Sequence, residues 1–163
     1  MQNVLHWQKG IFQCNFRLMA NDQIIGHLKD SEFSRIATGR LNTTEISFKR
    51  LEGLHSYADI LDPLNRQPIG SVRFNAWYPQ ATIRYGEQIY YWKFVNILET
   101  QWKVYNEDGV LLAYKGWSGK GKVLINQQEE RLILAGLYIS SYYWRMTAIL
   151  LAFSLPVLLF IIL

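Results

Sequence analysis

The closing stretch of the sequence, residues 132–163, carries a single charged side chain, Arg145. An apolar run of that length has to be withdrawn from water, which leaves few folds open to it: a helix enclosed by protein, a membrane span, or one followed by the other. As one helix it would reach ~48 Å, against a hydrocarbon core of about 30 Å, so a single bilayer crossing does not account for all of it. The two halves also differ in character. Residues 132–144 are apolar nearly all round, the pattern of a helix buried on every side. Residues 146–163 contain no Asp, Glu, Lys or Arg, and their length falls just within the range for a transmembrane segment. Tyr142, Tyr143, Trp144 and Arg145 stand at the junction, as an interfacial aromatic belt with a positive flank would. Glu129 and Glu130 suit the first turn of the helix through its macrodipole. Pro156 is expected to kink it, which membrane helices tolerate better than soluble ones.

Upstream of this run no helical period is sustained over a dozen residues, and short alternating segments bounded by Gly, Asn, Asp and Pro recur instead. They predict about twelve strands, at 3–7, 11–20, 23–29, 33–38, 43–49, 56–61, 69–77, 81–85, 88–95, 100–105, 110–117 and 122–126. The links between them are short. Asn21-Asp22, Asp62-Pro63-Leu64-Asn65, Tyr78-Pro79, Tyr85-Gly86 and Asn106-Glu107-Asp108-Gly109 supply residues that accept a left-handed backbone or preset φ. Short links between successive strands imply a meander of antiparallel hairpins. Residues 21–29 and 65–73 also echo one another as N-x-Q-x-I-G-x-apolar-basic, each placing a glycine, Gly26 or Gly70, where another backbone or a bulky ring comes close; chance similarity is the alternative. Half the residues are hydrophobic and 15% are aromatic, which suits one packed domain. The expected layout is a meander of antiparallel strands over 1–127, a buried helix over 128–145 and an apolar tail over 146–163.

This order of parts resembles the tubby-like barrel fold shared by tubby proteins, the plant LURP-one-related proteins and the phospholipid scramblases. It is similar above all to small bacterial proteins of that type. The residues that carry the likeness are Leu132-Ile133-Leu134-Ala135-Gly136-Leu137-Tyr138 through Trp144-Arg145, with Glu99-Thr100-Gln101-Trp102-Lys103-Val104 and Asn106-Glu107-Asp108-Gly109 as the preceding hairpin. The resemblance implies a closed antiparallel barrel over 1–127, threaded and filled by its apolar C-terminal helix over 128–145. It does not cover residues 146–163, because the small relatives stop soon after their basic residues.

Motifs for chemistry are weak. Gly116-Trp117-Ser118-Gly119-Lys120-Gly121-Lys122 satisfies the spacing of a phosphate-binding loop, but Val123 stands where a magnesium-holding hydroxyl is needed and a strand follows in place of a helix. It reads as a flexible glycine-rich hairpin turn. His6, His27 and His55 show no triad or metal-ligand spacing, and Asp59 and Asp62 flank a turn. Cys14 is the one cysteine, so no internal disulfide forms, and its alternation with Phe12, Phe16 and Leu18 predicts an inward face. Trp7, Trp77, Trp92, Trp102 and Trp117, spread over separate strands, read as barrel core with a ligand-binding aromatic patch as the alternative, so truncating Trp102 is expected to cost stability before any binding.

The net charge of +4 is spread among acids and matches no nucleic-acid-binding pattern. No catalytic residue, metal, cofactor or small-molecule substrate is expected. The sequence is read as a non-enzymatic barrel held at the cytoplasmic face of a membrane. Lys120, Lys122 and Arg145 are its candidate contacts to anionic lipid, and Tyr142, Tyr143 and Trp144 its interface belt. The alternatives are a soluble, cytoplasmic module with the helix buried and another protein as partner, and a scramblase-like activity.

Overall fold

A computed structural model describes residues 3–10, 15–30, 34–51, 57–117 and 119–162, with side chains described as far as Ser154. Twelve strands precede one helix: β1 (Asn3–Lys9), β2 (Asn15–Ala20), β3 (Gln23–Lys29), β4 (Ile36–Leu41), β5 (Thr44–Arg50) and β6 (Tyr57–Leu61), then β7 (Pro68–Phe74), β8 (Gln80–Tyr85), β9 (Gln88–Phe94), β10 (Gln101–Asn106), β11 (Gly109–Trp117) and β12 (Lys120–Ile125), followed by α1 (Glu130–Ile162). Each strand pairs antiparallel with the next, and β1 closes on β12 from Asn3↔Ile125 to Gln8↔Lys120. The fold is the expected closed antiparallel barrel around a C-terminal helix.

Along each strand the alternation places one face inward, as in β4, where Ala37, Gly39 and Leu41 are buried between exposed Ile36, Thr38 and Arg40. β4 runs on to Leu41, three residues past its expected end, and Gly39 within it is a space-maker. A side chain there would press on Leu134 of the helix. Phe12, Cys14, Phe33, His55 and Ser118 lie outside the described residues.

The register slips at three places, leaving Ile25, Ile69 and Leu111 without a residue opposite in the pairs β2–β3, β6–β7 and β10–β11. These bulges recur every fourth strand, so the barrel has an approximate threefold rhythm. Bulges add bend and twist, which helps a sheet close on itself. The sequence echo is the local signature of the first two. Gly26 and Gly70 each follow the bulged isoleucine, and a Cβ on either would lie 2.4 Å from a neighbouring carbonyl oxygen, that of Arg40 or Arg84. Gly70→Ala is therefore expected to destabilise by about 1–3 kcal/mol through overpacking, read as a lowered denaturant midpoint with an unchanged m-value.

The helix lies closest to β4 and β5, where the inward side chains at Ala37 and Gly39 are small. On the opposite wall the space is filled by Trp7, Trp92, Trp102 and Tyr114, all buried. Barrel width grows with strand number, and large rings take up what a single helix leaves empty. Gly136 completes the fit, since a side chain there would collide with the Tyr114 hydroxyl. That hydroxyl sits 3.3 and 3.2 Å from the carbonyls of Leu132 and Ile133, while Trp92 Nε1 donates to the Gly136 carbonyl at 3.1 Å.

Gly116 and Gly121 correct the reading of a flexible glycine-rich loop. Both are strand residues, paired with one another across β11 and β12. A Cβ on either would fall within 2.7 Å of the Trp7 ring, so the two glycines form the seat of that ring.

At its far end α1 continues past Pro156 to Ile162. Among the described residues no helix is long and apolar enough to cross a membrane. The expected transmembrane segment, 146–163, has half of its side chains, 155–163, outside the described ones.

Candidate functional site

The polar chemistry of the interior gathers where α1 leaves the barrel. Asp30 follows directly on β3, and its side chain is buried. Ser141 and Arg145 stand four residues apart on α1, hence on one face of the helix, and both reach Asp30. Arg145 Nη2 lies 2.7 Å from Asp30 Oδ2, and the Ser141 hydroxyl donates to the same oxygen at 3.4 Å. A carboxylate buried this deeply requires a paired cation. The pair fixes both the rotation and the depth of the helix. Nearby, Arg50 at the end of β5 donates from Nη2 to the Ser34 carbonyl at 3.0 Å.

A collar of rings surrounds the exit. Trp144 packs edge-on to Trp102 at 5.2 Å and tilts against Trp7 at 6.0 Å, and its indole donates to the Glu99 carbonyl at 3.2 Å. Tyr143 stacks on Trp92 at 5.3 Å. Its hydroxyl accepts from the Asn75 amide at 3.0 Å and lies within donor reach of the Asn75 and Gln80 carbonyls, pinning the β7–β8 link. Tyr142 stacks on Phe74 at 3.9 Å.

The Thr147 hydroxyl bonds both carboxylate oxygens of Glu99 at 3.2 Å. Burial pushes the Glu99 carboxyl above its ordinary range, and that hydrogen bond partly offsets the push. Burial likewise raises the Tyr143 and Tyr138 hydroxyls well above theirs.

These contacts relocate most of the residues singled out in the sequence. Tyr142, Tyr143 and Trp144 do not project as a belt at a membrane interface; their rings pack on the barrel wall, because the helix is still inside the mouth at that point. Arg145, with its side chain 15% exposed, is committed to Asp30 and is not an open headgroup contact. Lys120 and Lys122 are exposed on β12, Lys120 at the exit-end hairpin and Lys122 further down the outer wall beside Lys115. Asp30 and Glu99 went unnoticed in the sequence. Each lies in a link between strands, and the partner that gives it meaning is far away along the chain.

Both hydroxyl–carboxylate pairs, Ser141 with Asp30 and Thr147 with Glu99, join α1 to links of the barrel, so the arrangement positions a helix. Among the described residues no group of three His, Cys, Asp or Glu could hold a metal ion. A 450 Å³ concavity on the outer wall of β7–β9 includes Arg73, Asn75, Gln80 and Tyr91, with Arg73 its one charged side chain. No protein-family model and no curated protein matches the chain. Among solved structures it is similar to an X-ray structure of a protein from Arabidopsis thaliana, at 15% sequence identity and a TM-score of 0.36, over 83% of this chain and 88% of that one.

Proposed function

We propose that the protein is a non-enzymatic, tubby-like barrel mounted on the cytoplasmic face of a membrane. The first half of α1 is the plug of the barrel, and residues 146–163 are its anchor. The observation that carries this reading is the continuity of α1 through the barrel mouth. Beyond Thr147 its apolar side chains turn to solvent, and Ile149, Leu150, Leu151 and Phe153 are all exposed, Phe153 at 74%. The sequence then adds Leu155-Pro156-Val157-Leu158-Leu159-Phe160-Ile161-Ile162-Leu163 with no charge. Exposing such a run to water opposes folding by roughly 25 cal/mol per Å² of apolar surface, and a bilayer removes that penalty. The barrel sits on the side of the span that carries the cations, which supports a cytoplasmic placement.

Carbonate extraction of cell membranes followed by protease treatment tests the proposal. The full chain is expected to stay in the pellet with the barrel open to protease from the cytoplasmic side, and a chain ending at Arg145 to move to the supernatant. A truncated chain that stays in the pellet as firmly as the full one would end the anchor reading. A second reading, a module whose helix extension is covered by another protein, starts from the same exposed side chains of Ile149, Leu150, Leu151 and Phe153. It predicts a full-length protein that remains in solution without detergent.

A further inference from the structure

We propose that the helix-exit face of the barrel is itself a bilayer-docking surface, whose loops lie in the interface of an anionic leaflet beside the anchor. The inference rests on the anchored reading above and assigns a membrane contact to parts of the chain far from the tail. In an antiparallel meander alternate links share one end, so the β7–β8, β9–β10 and β11–β12 links all surround the emerging helix. Tyr143, Trp144 and Thr147 touch the first two directly, and Lys9, which bonds Gly119 in the third, stands 5.9 Å over the Trp144 ring.

These links carry large apolar side chains pointing into water. Trp77 is 89% exposed beside exposed Tyr78, Ile97 is 99% and Leu98 81% exposed, and Trp117 is exposed at the tip of β11. Scattered exposed hydrophobes are ordinary, but here three separate loops place them around one uncharged helix. Trp and Tyr favour the headgroup level, and Ile97 and Leu98 suit the shallow hydrocarbon beneath it. In the described links at the opposite end, Leu64 is the one large apolar side chain so exposed.

Charge divides along the same axis. Strand ends at the exit face carry Lys29, Lys49, Arg50, Arg73, Lys93 and Lys120, with Asp30 and Glu99 in the links beside them, whereas the opposite links carry Asp22, Asp62, Glu87, Glu107, Asp108 and Glu129 against Arg66. A basic collar around an apolar tip is complementary to an anionic lipid surface, and the acidic far end is turned away from it. Between collar and helix lies a groove of about 410 Å³, where Arg50 of the barrel and Arg145 of the helix meet Tyr142, Met146, Ile149 and Ala152.

The test uses the full chain with Cys14→Ser, reconstituted into phosphatidylcholine vesicles containing phosphatidylserine. A polarity-sensitive fluorophore is placed at Ile97→Cys or, as control, at Leu64→Cys. The label at 97 is expected to shift to the blue on reconstitution and to be quenched by lipid-borne nitroxide, while the label at 64 does neither. A label at 97 as aqueous as that at 64, in protein whose tail resists carbonate extraction, overturns the docking surface and leaves the anchor standing. Protein that never enters the vesicles overturns both. A label at 97 shielded before lipid is added identifies protein as the occupant and overturns the bilayer assignment.

Discussion

Asp30→Ala is expected to destabilise the protein by about 3–5 kcal/mol, the usual cost of stranding one partner of a buried ion pair. The Arg145 side chain is 15% exposed, and Asp30 Oδ2 is 2.7 Å from its Nη2. Removing the carboxylate leaves a guanidinium desolvated without a counter-charge, while Ser141, whose hydroxyl meets that same oxygen at 3.4 Å, also loses its acceptor. The double variant Asp30→Ala, Arg145→Met is expected to recover most of the loss, because replacing both charges with apolar groups removes the desolvation cost along with the attraction. Denaturant unfolding of the full chain in mild detergent, followed by tryptophan fluorescence, measures both. A single variant within ~1 kcal/mol of the parent would mean that the guanidinium swings out to water and that the pair does not set the depth of the helix.

Trp102→Ala should cost a similar amount, about 3–5 kcal/mol, by a different route. The ring is buried where the barrel wall meets the helix exit. It stacks on Tyr114 at 5.2 Å and meets Trp7 at 6.1 Å, Phe94 at 6.1 Å and Trp144 at 5.2 Å. Its removal opens a cavity among rigid strands that cannot collapse to fill it. Because Trp7 shares that cavity, Trp7→Ala and Trp102→Ala are expected to be non-additive by roughly 0.5–3 kcal/mol, measured by a double-mutant cycle. An unchanged melting temperature for Trp102→Ala would show that the ring is not part of the packed wall.

The same region shows how far local sequence reaches. Alternation in Gln23 to Lys29 and Gln88 to Phe94 marked their strands almost to the residue, because a strand buried on one face records that face in every second side chain. The echo around Gly26 and Gly70 was legible as a pair of glycines, but not as a pair of bulges, since a bulge is a relation between two strands. Tyr142, Tyr143 and Trp144 were misplaced for a related reason. An aromatic cluster beside a cation has the same composition at a membrane interface and inside the mouth of a barrel, and composition does not record what the rings face. The β7–β8 loop, where Trp77 is exposed though it reads as core, looks in sequence like a strand continuation, because exposure at a link is set by where the strands end.

Some properties of this protein are therefore local and others are not. The one-sided alternation, the turn residues and the long uncharged ending already determine a sheet of many hairpins and a helix in need of cover, because hydrophobic period and backbone preference act over a few residues. Only the tertiary structure decides that the sheet closes, that a wall of large rings makes up the width on one side of the helix, that Asp30 meets Arg145, and that cations collect at one end and acids at the other. Each of these is a meeting of residues far apart in the chain, and such meetings are fixed by the register and shear of twelve strands acting together.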